Sequence, residues 1–237
     1  MNSELKQRIQ VVMVVALLVS GGRLAYILYE RHQDQMVQSK VAPPLKADYY
    51  VTPKKFYLYD LKSARTELTK QPVWVQVGYA NIYYPYDPVG HYTNFSREAG
   101  KLLPIEKLQI QNVITDVAPS APGEPQVMAV FKKDGKEYAF AIGSVKGGEY
   151  KFYADQMLFR EDPHELYKHW PAEVWAAVDQ HEVKPGMGEL QADFAVGLGI
   201  PESGEPGNRT VNYPNGGNPL KVTYQNDKAT EINPGSK

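Results

Sequence analysis

The stretch KPGMGELQADFAVGLGIP, residues 184–201, predicts a short helix with well-defined ends. Gly186 allows the chain to turn before this helix, which we expect to run from about residue 188 to residue 197. Gly199 and then Pro201 follow it, in the usual order of a glycine just past a helix and a proline soon after. The sequence therefore indicates both ends of the helix.

A strand pattern follows the predicted helix. Residues 208–232 read NRTVNYPNGGNPLKVTYQNDKATEI and contain three runs that are typical of strands. Turn-forming Asn, Asp and Gly residues separate these runs, which are Thr210–Tyr213, Leu220–Tyr224 and Ala229–Ile232. We therefore expect residues 184–237 to form a helix plus a three-stranded antiparallel meander with a flexible tail.

This carboxyl-terminal unit resembles the SmpA/OmlA family, the BamE-like outer-membrane assembly proteins. The residues that carry the resemblance are Gly186-Met187, Leu198–Pro201, Thr210–Tyr213 and Val222–Asn226. The resemblance implies an αα-βββ fold and a non-catalytic scaffold that binds proteins in the cell envelope. The chain departs from the family pattern because it has no cysteine to carry a lipid, a predicted membrane helix instead, and a β-rich segment before the motif.

A connecting helix or helix pair is predicted upstream, at residues 161–183. Asp162 is a favourable N-cap residue, and Pro163 suits the first helical position. Apolar residues then recur at every fourth position: Leu166, Trp170, Val174 and Val178. Because Pro171 interrupts this stripe, we expect two short helices or one bent helix.

Residues 48–160 predict a β-rich domain. Aromatic and β-branched runs alternate there with Pro, Gly and Asp at strand-length intervals. Asp134-Gly135 lies between two such runs and indicates a β-hairpin, because Gly accepts a positive φ. Short strands with hairpin connections favour a small barrel-like sheet, so the fold class is α+β.

Tyrosines are concentrated in one part of this domain. Nine of the 17 tyrosines lie between Tyr49 and Tyr92. We interpret the aromatic patch, with Tyr83, Tyr84 and Tyr86, as part of a partner-binding site. The predicted meander contributes Tyr213 and Tyr224 to the same site. The alternative is that these rings form a half-buried core with their hydroxyl groups in water.

Residues 9–29 read IQVVMVVALLVSGGRLAYILY and predict a single N-terminal transmembrane helix within an anchor at 1–29. They would extend about 31 Å, which is one bilayer core. The residues assigned to the anchor are Val11, Val15, Leu18, Arg23 and Ile27. Arg23 would extend toward the interface. A cleaved signal peptide is the alternative. With a linker at 30–47, the pattern predicts a single-pass inner-membrane protein with most of the chain in the periplasm.

Composition excludes several kinds of site. The chain has 26 Lys and Arg against 27 Asp and Glu, so it offers no basic surface for nucleic acid. It has no cysteine for disulfides or thiolate metal sites. His164 and His169 are five residues apart and would not share a helix face as metal ligands do. No cofactor motif is present, and we expect no catalytic residue, cofactor or metal.

The function that these patterns predict is a membrane-anchored, envelope-facing protein-interaction or scaffold protein. One alternative is an accessory subunit of a larger inner-membrane complex, in which Gly21-Gly22 allow close helix packing. Another is a periplasmic hydrolase or glycan-binding domain that uses His91 with Asp87 or Glu98.

Overall fold

The computed structural model describes residues 13, 17–32 and 46–235, and the chain divides into two units at Lys46 and Ala47. In the first unit, residues 17–32 form helix α1, which contains Leu18, Arg23 and Ile27. Val11 and Val15 of the predicted anchor and residues 33–45 of the predicted linker lie outside the described residues.

The prediction of an N-terminal transmembrane helix is wrong. Within the described residues, no helix combines the length and the apolar character that a membrane crossing requires. Helix α1 contains three charged residues, Arg23, Glu30 and Arg31.

The second unit, residues 47–237, begins with a β-rich half. Its strands are β1 Val73–Val75, β2 Ile82–Asp87, β3 Tyr92–Thr93, β4 Gly100–Lys101, β5 Lys107–Leu108, β6 Ile110–Asp116, β7 Gln126–Lys133, β8 Lys136–Lys146, β9 Glu149–Phe152 and β10 Leu158–Phe159. A seven-stranded antiparallel sheet has the order β3-β2-β8-β7-β6, with β4 paired to β2 and β9 paired to β8. In the described residues no ladder joins β6 back to β3, so the sheet does not close into a barrel.

The predicted β7–β8 hairpin is confirmed. Asp134 and Gly135 have φ values of 50° and 77°, and Lys133 pairs with Lys136 across them. Two consecutive positive φ values match the right-handed twist of the flanking strands. This hairpin joins the two longest strands of the sheet.

The helices of the second unit are α2 Leu61–Thr69, α3 Ala154–Met157, α4 Pro163–Leu166, α5 Ala172–Asp179 and α6 Glu189–Val196. The predicted helix pair around Pro171 and the predicted helix after Gly186 are confirmed as α4, α5 and α6. Helix α2 is not predicted by the sequence pattern. It is capped by Asp60, whose Oδ1 accepts a hydrogen bond of 2.7 Å from Ser63 N.

The carboxyl-terminal sheet has four strands in the order β11-β12-β13-β14. They are β11 Ile200–Glu205, β12 Asn208–Tyr213, β13 Leu220–Gln225 and β14 Lys228–Pro234, and all neighbours are antiparallel. The predicted meander therefore has one more strand, β11, at its edge. Helices α5 and α6 supply buried residues to the same core as this sheet.

Two hydrophobic cores meet at the small antiparallel sheet β10-β1-β5. Val73 and Val75 point into the first core, which the large sheet and α2 enclose. Trp74 and Phe159 point to the opposite side, into the second core with α5, α6 and the carboxyl-terminal sheet. Since side chains alternate across a strand, one short sheet contributes to both cores.

Candidate functional site: a strap with exposed tyrosines

Residues 47–60 form a strap along the surface of the second unit. The strap begins with a 3₁₀ turn, Ala47–Tyr50, continues without regular secondary structure, and ends at Asp60, the cap of α2. Val51 packs against the second core, whereas Phe56 and Leu58 pack against the first. The strap is therefore held by apolar contacts at both cores.

Asp48 fixes the first end of the strap. Its Oδ1 accepts hydrogen bonds from Trp170 Nε1 at 2.7 Å and from His169 Nε2 at 2.6 Å. Hydrogen bonds to a charged group are shorter and stronger than those between neutral groups. The ring of Trp170 is itself buried in the second core, so Asp48 connects the strap to an immobile side chain.

Carboxylates of residues 155–161 hold the middle of the strap. Glu161 Oε1 lies 2.7 Å from Lys54 Nζ, and Glu161 Oε2 accepts from Lys54 N at 3.1 Å. The hydrogen bond from the Lys54 side chain is the main reason that the pKa of Glu161 lies below its ordinary value. Asp155 Oδ1 accepts from Phe56 N at 2.7 Å. The backbone of the strap is therefore bound at successive points rather than lying loosely on the surface.

The tyrosines of the strap point outward. The exposed fractions are 69% for Tyr49, 71% for Tyr50, 63% for Tyr57 and 74% for Tyr59. Tyr57 and Tyr59 alternate with the inward-facing Phe56 and Leu58, and this alternation places both rings on the outer side. Tyrosine is enriched in the centre of protein interfaces, and these four rings offer apolar area with a polar tip.

The predicted partner-binding residues lie elsewhere. Tyr83 is in the first core, edge-to-face with Phe131 at a centroid distance of 5.5 Å. Tyr86 is buried on the other side of the same sheet, and the half-buried Tyr84 packs on Phe95. A buried ring gives no contact area to a partner, so the prediction is corrected for Tyr83 and Tyr86, whereas the four tyrosines of the strap are exposed.

The same correction applies to the meander. Tyr213 and Tyr224 are fully buried in the second core, and their hydroxyl oxygens are 2.8 Å apart. Burial raises the pKa of both phenols, chiefly because the charged form would lose its hydration. These two tyrosines are structural, and they lie apart from Tyr83 and Tyr86, which belong to other cores.

The histidine-based alternative is not assembled as predicted. His91 lies in the β2–β3 turn with φ of 55°, and its Nδ1 is 3.5 Å from the hydroxyl of Tyr86. Asp87 Oδ1 instead accepts the N–H groups of Val89 and Gly90. The hydrogen bond from Gly90 is the main cause that lowers the pKa of Asp87. Asp87 therefore stabilises the turn rather than orienting the imidazole.

Glu98, the other predicted partner of His91, lines an open groove of about 560 Å³ between the β2–β3 loop and the β7–β8 hairpin. Pro85 and Tyr138 form apolar parts of this groove, and Arg97 and Lys136 accompany Glu98. The groove thus carries charges of both signs, but it does not include His91.

Two further histidines, His164 and His169, have structural partners. His164 stacks on Trp175 at 4.0 Å between ring centroids and lies between Asp162 and Asp179, at 3.0 Å and 3.2 Å. His169 is bound to Asp48. Over the part of the chain that the structure describes, no three acidic or histidine side chains are grouped as a metal ion would require.

Comparisons of the chain with protein-family models, with curated proteins and with solved structures give no match.

Proposed function

We propose that this chain is a non-catalytic protein-interaction protein and that its partner binds the exposed tyrosines of the strap. The observation that carries this proposal is the combination of four exposed rings with a segment that is bound through the Asp48 side chain and through the backbone N–H groups of Lys54 and Phe56. Exposed aromatic rings alone are common, whereas exposed rings on an anchored segment are pre-organised for binding.

Pre-organisation favours a protein partner on energetic grounds. Association must compensate for the ordering of side chains and loops at the interface. The strap has already been ordered by folding, so its tyrosines add contact area at the cost of two side-chain torsions each. Interface residues of this type often account for most of the binding free energy.

The resemblance of the carboxyl-terminal unit to the SmpA/OmlA family supports the same kind of function. It implies a scaffold that binds proteins in the cell envelope, and we include that location in the proposal. Fractionation of the cells that make the protein would test the location separately from the binding.

Site-specific photo-cross-linking of the full chain tests the binding surface. We expect a benzophenone amino acid at position 57 or 59 to give one discrete adduct in the native cells. Tyr92 is the matched control, because it is also exposed but lies on β3, outside the strap. The same probe at position 92 should give no adduct of that size.

The captured partner is then used in a binding titration. Tyr57→Ser and Tyr59→Ser should each weaken binding about tenfold or more, as expected for interface hot spots, whereas Tyr92→Ser should stay within about twofold. Equal cross-linking from position 92, or unchanged affinity in both strap variants, would contradict the proposal. Turnover of a small molecule by the purified chain would contradict its non-catalytic part.

A further inference from the structure

Asp193 holds the connection between α6 and β11. Its backbone carbonyl accepts a hydrogen bond from Gly197 N at 3.0 Å, and its side-chain Oδ1 accepts one from Gly199 N at 3.2 Å. One residue in the last turn of α6 therefore binds both ends of the Gly197–Gly199 segment. The side chains that flank this segment, Leu198 and Ile200, are exposed.

The segment is seated tightly against the fold. A Cβ atom added to Gly199 would overlap Val211 Cγ1 and lie 2.7 Å from the ring of Tyr213. At Gly197, where φ is 83°, it would lie 2.7 Å from the carbonyl oxygen of Gly78. In the position that the structure shows, neither glycine has room for a side chain. Small displacements of residues 197–199 would break these contacts.

Within the described part of the chain, no cationic side chain forms an ion pair with the carboxyl group of Asp193. Arg209, the nearest cationic side chain on β12, makes a two-point ion pair with Glu189, one turn earlier on α6. The other groups that face Asp193 are the phenol of Tyr213 on β12 and, beyond it, the phenol of Tyr224 on β13. Both phenols stay neutral because burial raises their pKa.

These surroundings favour the neutral acid. Loss of hydration is the largest cause that raises the pKa of Asp193 to about 7, and the nearby charge of Glu189 acts in the same direction. The hydrogen bonds from Gly199 N and Tyr213 and the more distant charge of Arg209 act against them. The carboxyl group of Asp193 therefore changes its charge near pH 7.

We propose that Asp193 is a proton-operated latch for the α6–β11 connection. With the proton present, the carboxyl group is neutral and the Gly197–Gly199 segment stays seated on β12. When the proton passes to water, the charge that remains is stabilised best if the segment lifts and solvent reaches the carboxylate. Leu198 and Ile200 then change position, so the surface at this edge of the carboxyl-terminal sheet depends on pH.

Amide hydrogen exchange of the full chain, followed by NMR between pH 5.5 and 8.5 and corrected for intrinsic exchange rates, tests the latch. We expect the protection of Gly199 N–H to fall about tenfold or more between pH 5.5 and about 7 and to level off above pH 7, because local opening exposes this amide and hydrates the carboxylate. Ala192 N–H, which donates to Gly188 O in the first turn of the same helix, is the internal control and should keep its protection.

Three variants separate the latch from other pH effects. Asp193→Asn keeps the size and cannot ionise, so its Gly199 protection should stay constant within about twofold. Asp134→Asn makes the same change on an exposed turn and should behave as the unmodified chain. Tyr213→Phe removes a hydroxyl that stabilises the charged carboxylate, so the midpoint of the change should move to higher pH.

Three results would overturn the proposal. One is an Asp193→Asn variant whose Gly199 protection still falls about tenfold. Another is a loss of protection that is shared equally by Ala192, because this would indicate global destabilisation. The third is an unchanged midpoint in Tyr213→Phe while that variant remains folded.

Discussion

Replacing Asp193 by Asn should change how the stability of the second unit depends on pH. In the unfolded chain the carboxyl group has its ordinary pKa of 3.8, and in the folded chain burial raises it to about 7. Between these values the folded state holds a proton that the unfolded state has released. The free energy of unfolding therefore contains a contribution that is fully present below about pH 4 and is lost as the pH rises through about 7.

The size of this contribution follows from the same two values. A rise from 3.8 to about 7 corresponds to roughly 4 kcal/mol at about 1.4 kcal/mol per pH unit, which is an upper limit. Asp193 keeps some contact with solvent, and local opening of the connection would hydrate it further, so we expect about 2 kcal/mol. The asparagine oxygen still accepts from Gly199 N, so the variant loses the charge and keeps that hydrogen bond.

Urea unfolding at pH 4.5, 6, 7 and 8 measures the effect. We expect Asp193→Asn to exceed the unmodified chain by about 2 kcal/mol at pH 8 and to lose this advantage at pH 4.5, with equal urea dependence. The difference between the two chains cancels the titration of the five histidines, which both contain. Parallel curves over the whole range would refute the assignment of a half-buried, neutral Asp193.

Two further predictions concern the strap and the close packing of Gly199 against Val211. Asp48→Ala removes the hydrogen bonds to Trp170 and His169 and should lower the free energy of unfolding by about 2 kcal/mol. Thermal unfolding measures this change. An unchanged midpoint would show that Asp48 does not hold the strap. Gly199→Ala should lower the free energy of unfolding by more than about 2 kcal/mol, because the added Cβ overlaps Val211. Gly123→Ala is the control and should leave it unchanged, because no atom lies within 4 Å of that position. Equal effects of the two substitutions would contradict the close packing at Gly199.

Local patterns in the sequence predict the elements that have local causes. The Asp162-Pro163 start of α4, the restart at Pro171 and the Asp134-Gly135 turn all follow from backbone preferences of a few residues. Helix α2 could have been found in the same way. Asp60 is a cap residue, and Leu61, Ala64 and Leu68 share the spacing of one helix face.

The extra strand of the carboxyl-terminal sheet shows where such patterns mislead. Pro201 reads as a residue that ends a helix and begins a loop. In the structure it lies in β11, an edge strand with an irregular register between Pro201 and Ser203. Proline is tolerated at an edge because no further strand needs its missing N–H group. Position at the edge is a property of the whole sheet and is not visible in the local sequence.

The tyrosines of the predicted patch are buried or half-buried for a related reason. Tyr83-Tyr84-Pro85-Tyr86 is the densest aromatic run, but its residues belong to β2, which has paired strands on both sides and buries both faces. Tyr57 and Tyr59 are tyrosines as well, yet they alternate with Phe56 and Leu58, whose side chains pack into the first core. The alternation within each segment, rather than the density of aromatic residues, therefore indicates which rings remain exposed.

The second core explains why the carboxyl-terminal unit does not behave as a separate module. Its buried side chains come from all three segments that the sequence distinguishes, with Phe159 from 48–160, Trp170 from 161–183 and Tyr213 from 184–237. The strap adds Val51 to this core and Asp48 to Trp170, so the position of the exposed tyrosines depends on the packing of the carboxyl-terminal sheet. A change that loosens the second core should therefore weaken partner binding even though it touches no exposed ring.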